Sequence, residues 1–331
     1  MNSKERVKNA VNFNKVDRIP VGLFGTHEEY EQELAEYIGV RNIEEMYREL
    51  GVDIWHCKQR LELKDGDSIW GKVEKTPLFE DVSSVAEVEA HDFANLEDFD
   101  NSLLAREIEE HQEFSVCAGI NSAIFHNYLD LCGQENALCY LKIKPEIAEA
   151  IIKKITDFWV NYLEKVLKTG KDKIDIIENC NDFGTQRSLF ISREDFRYFF
   201  KPQLQRLYDK AKEYGVFYMQ HSCGAISPII PDFIEMGADI LNPIQTAAKN
   251  MEIKKLKDKY GDKITFYGGI DTQYLLPQGP ETKIKKEVRK VLDLFGKKGG
   301  YILSGAQGLI EDVPFKHAVA MLEENMKFGN V

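Results

Sequence analysis

The chain has 331 residues and a formal net charge of −12, and this length, above the usual size of one compact core, predicts either two domains or one large α/β barrel. The sequence pI of about 5.2 argues against nucleic acid and anionic membranes as partners, because basic surfaces bind both. The N-terminus lacks the apolar core of a secretory signal, no apolar run is long enough to cross a bilayer, and the six cysteines have no disulfide-framework spacing, which together predict a cytoplasmic protein.

Predicted helices and strands alternate along almost the whole chain. Helices are predicted at about residues 3–14, 28–38, 42–50, 145–169, 193–214, 227–236, 250–260, 281–296 and 315–327. Strands are predicted at about residues 18–24, 52–56, 114–118, 174–178, 216–220, 240–242, 264–267 and 301–304. Residues 61–113, which are rich in Asp and Glu, interrupt this alternation, and we expect them to form a surface excursion with a short hairpin.

Eight short apolar strands that alternate with helices predict a parallel sheet covered by helices. Eight strands can close into a (β/α)8 (TIM) barrel, and the length suits a single domain of this fold over residues 1–331, with an inserted excursion at about 61–113. A doubly wound open sheet is the alternative. No G-x-G-x-x-G segment follows the first strand and no G-x-x-x-x-G-K-[ST] segment occurs in the sequence, which favours the barrel.

The segment from Tyr218 to Gly224 holds the most informative pattern, a histidine and a cysteine two residues apart at the end of a predicted strand. Side chains at this spacing on a strand point to the same side, so the imidazole of His221 and the thiol of Cys223 are expected to converge. Both groups are zinc ligands. The structural alternative is a buried histidine beside a cysteine that only packs.

Polar side chains follow the other predicted strands, and in a barrel the active site lies at these carboxyl ends. The residues with functional groups there are His27, His56, Glu178, Cys180, Asp182, Asn242, Gln245, Asp271 and Gln307. Several have an ordinary structural alternative: Asp182 and Asp271 as caps, and His27 as a surface residue. Arg187 is the nearest cationic candidate, so the sequence does not indicate a polyanionic substrate.

Further short motifs occur along the chain, namely Asp17–Val21, Asp182–Gln186, His221–Gly224, Gly237–Pro243, Tyr267–Asp271 and Asp312–Pro314. On these motifs and their order, the chain resembles the uroporphyrinogen decarboxylase superfamily over nearly its whole length. The resemblance implies the (β/α)8 barrel, in agreement with the predicted strand count.

The superfamily has two chemistries, and the segment after the first strand distinguishes them. True uroporphyrinogen decarboxylases carry an arginine-rich motif there, which binds the carboxylates of a tetrapyrrole. Residues 22–29 of this chain contain two acids and no arginine, so a substrate with many carboxylates would meet repulsion instead of bidentate hydrogen bonds.

The other branch comprises cobalamin-dependent methyltransferases, whose barrels bind zinc through an H-x-C pair and a later cysteine. His221 and Cys223 match the pair, but Gln307 occupies the position expected for the later cysteine. An amide is a poor zinc ligand. Cys180, Glu178 and Asp182, at the end of the neighbouring strand, are the best replacements.

The resemblance therefore implies an enzyme that moves a methyl group between a small-molecule donor or acceptor and the cobalt of a corrinoid, with zinc as a cofactor. No D-x-H-x-x-G motif for cobalamin binding occurs in the sequence, so a separate partner protein is expected to supply the corrinoid. The predicted roles are metal ligands for His221, Cys223 and Cys180, catalysis for Asp182, Glu178 and His27, and substrate-pocket residues for His56, His126, Asn242, Gln245, Asp271 and Gln307.

Two alternatives remain open at this stage. One is a metal-free decarboxylase of the uroporphyrinogen decarboxylase type, with an Asp or His as proton donor. The other is a protein that binds a corrinoid or tetrapyrrole without catalysis. Barrels of this superfamily often pair, so a homodimer is compatible with the resemblance.

Overall fold

Helices and short parallel strands alternate along the chain. The computed structural model describes residues 1–63, 69, 77–120, 124–296 and 298–328. The helices are α1 Ser3–Val11, α2 Glu28–Ile38, α3 Ile43–Leu50, α4 Val85–Ala90, α5 Ser102–Glu110, α6 Ile124–Cys132, α7 Gln134–Ile143, α8 Pro145–Gly170, α9 Arg193–Asp195, α10 Lys201–Glu213, α11 Ile230–Met236, α12 Ile253–Tyr260, α13 Leu275–Gln278, α14 Glu281–Phe295 and α15 Phe315–Phe328. The strands are β1 Ile54–His56, β2 Glu62–Leu63, β3 Phe99–Asp100, β4 Ser115–Ile120, β5 Ile176–Cys180, β6 Phe217–His221, β7 Ile240–Asn242, β8 Thr265–Tyr267 and β9 Tyr301–Ile302. None of these helices is both long and apolar enough to cross a membrane.

The main sheet is parallel and barrel-like. Within the described ranges it has seven strands in the order β1-β4-β5-β6-β7-β8-β9, so strands that follow one another in the sequence of this sheet are hydrogen-bonded neighbours. The first predicted strand, at 18–24, forms only two isolated parallel bridges in the described residues, Val21 with Leu303 and Gly22 with Ile54. These bridges lie at the two edges of the sheet, beside β9 and β1.

The predicted excursion contains helices as well as strands. In its described part, β2 and β3 pair antiparallel, but helix α4 lies between them in the sequence, so they are not a hairpin. Residues 64–68 and 70–76 of the predicted excursion lie outside the described residues. The structure also adds helices α6 and α7, which the sequence analysis did not predict, and the helix predicted at 193–214 contains a π-helical segment, Phe196–Phe200.

The interior of the sheet is built in two layers, because alternate residues of a strand share one face. The lower layer is a buried apolar cluster with one residue from each strand of the main sheet, closed at its base by α1: Val7, Val11, Ile54, Cys117, Ile176, Met219, Ile240, Tyr267 and Ile302. Two positions further along the strands the residues become polar, and they include His56, Glu178, His221, Asn242 and Ser304. The apolar layer therefore supports a polar layer at the carboxyl ends of the strands.

A buried carboxylate connects α1, the segment after it and β1. Asp53 is fully buried, and its oxygens accept hydrogen bonds from Arg6 Nη1 at 2.5 Å, Arg18 Nη1 at 2.7 Å and the Val21 backbone N–H at 3.0 Å. Arg18 belongs to the first motif on which the resemblance was based. Its role in the structure is to hold the segment with the bridging residues Val21 and Gly22 next to β1.

Candidate active site and metal centre

Strand β6 ends at His221, and the turn that follows brings Cys223 back to the same side. The distance from His221 Nε2 to Cys223 Sγ is 3.2 Å. Gly224 has a φ of 85°, a conformation that favours glycine, and a Cβ there would overlap the backbone of Gly184 in the loop after β5. The turn therefore packs closely against the neighbouring loop, and the imidazole and thiol converge.

The ring of His221 is held by the neighbouring strand. His221 Nδ1 lies 2.6 Å from Asn242 Oδ1 at the end of β7. Because an amide oxygen only accepts hydrogen bonds, Nδ1 carries the proton and donates to it. This leaves the lone pair of Nε2 directed towards Cys223 and towards Asp182 Oδ1, 3.5 Å away. Burial lowers the pKa of His221, which favours the neutral imidazole that binds metals.

Cys223 has polar neighbours on two sides. Gln307 Nε2 lies 2.8 Å from its sulfur, and its backbone N–H donates to Asp182 Oδ1 at 2.8 Å. Burial, together with the charge of Asp182, raises the pKa of the Cys223 thiol. The thiol is therefore protonated at neutral pH unless a cation stabilises the thiolate. Gln307 lies against the sulfur, at the position where the resemblance implies a further cysteine.

Asp182 connects this pair to a second histidine. Burial by itself would raise its pKa, but His126, His221 and the Cys223 N–H together hold the pKa of the Asp182 carboxyl below its usual range. Asp182 Oδ2 faces His126 Nε2 across 3.7 Å. In return, the carboxylate raises the pKa of His126, which favours the protonated imidazole beside Asp182.

The donor set suits a zinc-class ion. One donor atom each from Cys180, Asp182 and His221 lie within 4.8 Å of one another, and the Cys223 sulfur lies beside His221. Imidazole, thiolate and carboxylate are the ligands that zinc takes in proteins, and catalytic zinc sites use three protein ligands with one open position. Cys180 and Asp182 thus offer a thiol and a carboxylate in place of the cysteine ligand that Gln307 replaces.

Glu178 lies in a second polar cluster, within the polar layer at the carboxyl ends of the strands. Its Oε2 is 3.5 Å from His56 Nδ1 and its Oε1 is 3.1 Å from Arg60 Nη2. Burial would raise the pKa of Glu178, but His56 and Arg60 lower it below its ordinary value. The ring of Phe24 contacts a histidine of each cluster, with its centroid 5.3 Å from that of His56 and 4.8 Å from that of His221.

Sequence reasoning missed Arg60 and Phe24. Arg60 lies just beyond the end of β1, immediately before the excursion, and that position after a strand is the signal that could have identified it. Phe24 ends the segment predicted as the first strand, where an aromatic residue is expected for packing alone.

The remaining predicted site residues either stabilise turns or lie away from the His221 cluster. Gln245 Oε1 accepts the Gly224 N–H at 2.6 Å and so shapes the turn that carries Cys223. Asp271 Oδ1 accepts the backbone N–H groups of Gln273 and Tyr274, which is the capping role considered as its alternative. His27 is exposed at the start of α2, with Nδ1 3.5 Å from Glu311 Oε1. Across the described ranges, no contact joins Asp271 or His27 to the His221 cluster.

Gly119 makes room for Glu178 in the next strand, and its replacement by alanine is predicted to be destabilising. The two residues are partners in the register of β4 and β5, and a Cβ at position 119 would overlap the Glu178 side chain. Overpacking of this kind costs about 1–3 kcal/mol. We expect Gly119→Ala to lower the free energy of unfolding in urea by that amount, and Gly119→Ala/Glu178→Ala to lose less than the sum of the single changes. Additive losses would show that this overlap is not the cause.

The geometry can be compared with known proteins. A family model described as Uroporphyrinogen decarboxylase (URO-D) matches residues 69–328. The uroporphyrinogen decarboxylase of Chlorobaculum parvum is 26% identical over 182 residues, 54% of this chain and 48% of that protein. The uroporphyrinogen decarboxylase of Bacillus anthracis is 24% identical over 183 residues, 54% of this chain and 47% of that protein. The chain thus spans about half the length of the curated relatives it matches.

A solved structure extends the similarity over the whole chain. A methyltransferase from Methanosarcina mazei superposes with a TM-score of 0.74 at 18% sequence identity, covering 99% of both chains. At this identity the superposition shows a shared fold. Together with the family match it confirms the predicted resemblance: the chain belongs to the uroporphyrinogen decarboxylase family.

Proposed function

We propose that this protein transfers a methyl group between a small molecule and the cobalt of a corrinoid that a separate protein carries. The observation that carries the proposal is the convergence of one donor atom each from His221, Cys180 and Asp182, with the Cys223 sulfur 3.2 Å from His221 Nε2. These residues would hold a zinc ion. When bound, zinc lowers the pKa of a thiol or polarises the atom that carries the methyl group.

Each residue around these donors has a definite task in the proposed reaction. Asn242 holds the proton of His221 on Nδ1 and so keeps Nε2 available as a donor. Moving a methyl group from a donor to cob(I)alamin leaves an anionic leaving group that takes up one proton. His126 is partly exposed, and Asp182 raises the pKa of its imidazole, so we assign it as the source of that proton. Gln307 donates to the Cys223 sulfur and stabilises its thiolate.

The entrance to the site supports methyl transfer over tetrapyrrole decarboxylation. Residues 22–29 include Glu28 and Glu29, both exposed, and no arginine. A small methyl donor does not need the cationic clamps that a polycarboxylate needs. We also propose that the bridging segment at Val21 and Gly22 acts as the eighth strand that closes the (β/α)8 barrel, with residues 1–331 as one domain.

The direct test is methylation of cob(I)alamin by the purified protein with a panel of small methyl donors, in the presence of zinc and after chelation. We expect turnover with at least one donor, and its loss on chelation. Inactivity across a broad panel, with no bound metal, would contradict the proposal.

Metal-free decarboxylation is the second candidate, because the curated relatives cited above are named uroporphyrinogen decarboxylases. Turnover of a porphyrinogen by metal-free protein would support this candidate and exclude the zinc-dependent one. Binding of a corrinoid or tetrapyrrole without either reaction, seen as a change in visible absorbance, would instead support a binding protein.

The pairing of His126 with Asp182 has a measurable pH signature. Because a carboxylate stabilises the imidazolium, we expect Asp182→Asn to lower the pKa of His126 towards the ordinary histidine value. This is measurable by NMR titration of the histidine rings, with the exposed His27 as the internal control. The raised folded-state pKa means that the His126 contribution to stability is present below the unfolded pKa and is lost as pH rises through the folded one. An unchanged His126 pKa in the variant would show that Asp182 is not its partner.

A further inference from the structure

A second group of potential metal ligands lies inside the sheet, apart from the His221 cluster. It consists of His56 at the end of β1, Cys117 in β4 and Glu178 in β5. One donor atom from each residue lies within 4.8 Å of the other two. All three residues are largely buried. The exposed fraction of the side chain is 12% for His56 and 5% for Glu178, and Cys117 is 1% exposed.

The separations between these donors match those around a tetrahedral ion. Glu178 Oε2 lies 3.5 Å from His56 Nδ1 and 3.8 Å from Cys117 Sγ. Ligands placed at about 2.0–2.3 Å from zinc in a tetrahedron are about 3.3–3.8 Å from one another. His56 Nδ1 is buried and has no hydrogen-bond partner among the described residues. A buried polar atom in this position needs a partner, and a cation between the three donors would provide one.

The donors are oriented by outer contacts of the kind that accompany metal ligands. His56 Nε2 lies 2.9 Å from the Tyr267 hydroxyl, which directs Nδ1 towards Glu178. Arg60 binds the other carboxylate oxygen of Glu178 at 3.1 Å, and its positive charge offsets part of the buried negative charge.

Two glycines leave space for these side chains. A Cβ at Gly22 would overlap the Tyr267 hydroxyl, and one at Gly119 would overlap the side chain of Glu178. The cluster therefore depends on small residues on both sides of β1, at Gly22 and in β4.

From this geometry we propose that His56, Cys117 and Glu178 form a second metal site for a divalent ion of the zinc class. The combination of imidazole, thiolate and carboxylate selects zinc or a similar borderline ion over magnesium or calcium, which prefer oxygen ligands alone. The site links β1, β4 and β5, shares no residue with the His221 cluster, and is independent of the methyl-transfer proposal.

The test is the zinc content of the full-length protein after saturation with zinc and removal of the excess, measured by elemental analysis. We expect two ions per chain in the natural protein and one ion in Cys223→Ser. Cys117→Ser and His56→Gln should each also retain one. Cys132→Ser, a change at a buried cysteine of α6 that belongs to neither group, should retain two.

A spectroscopic measurement identifies the occupied site directly. In Cys180→Ser/Cys223→Ser protein loaded with cobalt(II), Cys117 is the thiol left in the two ligand groups, and we expect a thiolate-to-cobalt charge-transfer band that disappears on adding Cys117→Ser. Thermal unfolding of each variant checks that the fold is intact. A single ion that is lost with Cys223→Ser but kept with Cys117→Ser would overturn the second site and leave the proposed function standing. A single ion that is kept in Cys223→Ser and lost in Cys117→Ser would support the second site and contradict the zinc site of the proposed function.

Discussion

Replacing Cys223 with serine is expected to reduce zinc affinity at the His221 cluster by well over 100-fold and to abolish zinc-dependent methyl transfer. Changes to outer contacts of a zinc ligand already cost about 10–100-fold in metal affinity or activity, and this substitution removes a ligand itself. Affinity is measured by competition with a chelating dye, and activity by methylation of cob(I)alamin. Cys132→Ser is the control for the loss of a thiol, since this cysteine is buried in α6 and belongs to neither ligand group.

Adding a thiol at Gln307, which contacts Cys223 in space, provides the converse experiment. Gln307 Nε2 contacts the Cys223 sulfur at 2.8 Å, so Gln307→Cys places a thiol where the amide is now. We expect tighter zinc binding, because a thiolate is a far better ligand than an amide. If Cys223→Ser and Gln307→Cys both leave zinc affinity unchanged, this cluster is not a metal centre and the metal-free alternative gains support.

Replacing Asp53 with asparagine is expected to lower the free energy of unfolding by about 3–5 kcal/mol, the usual cost of removing one partner of a buried ion pair. The change leaves the guanidinium groups of Arg6 and Arg18 without their shared carboxylate, although both remain buried. It also weakens the hydrogen bond that holds Val21 beside β1. Urea unfolding followed by circular dichroism measures the loss.

Asp17→Asn is the control for this prediction. Asp17 also pairs with Arg6, at 2.7 Å, but its side chain is 38% exposed, and a solvent-exposed pair contributes only about 0–1 kcal/mol. A loss for Asp53→Asn no larger than that for Asp17→Asn would contradict the role of Asp53 as the buried connection between α1, residues 18–21 and β1.

Much of the architecture could be predicted from local patterns. The apolar runs at residues 174–178, 216–220 and 240–242 coincide closely with β5, β6 and β7, because a strand buried on both faces leaves a continuous apolar signal. Helix α8 was equally predictable, since its apolar stripe runs from Pro145 to Gly170. The first strand was overpredicted: residues 18–24 are apolar enough for a strand, but they pair only at Val21 and Gly22.

Within the candidate site, the sequence by itself determined which side chains share a strand face. The spacing of His221 and Cys223, and of Glu178 and Cys180, places each pair on one side, because side-chain direction alternates with every residue. Only the tertiary structure decided which strands and loops bring their side chains together. It placed Glu178 with His56 and Arg60 instead of with Cys223, held Asp271 in its own turn, and set Asn242 against His221. Those contacts depend on strand register and on how closely glycines let neighbouring strands and loops approach, and neither is encoded in any single segment.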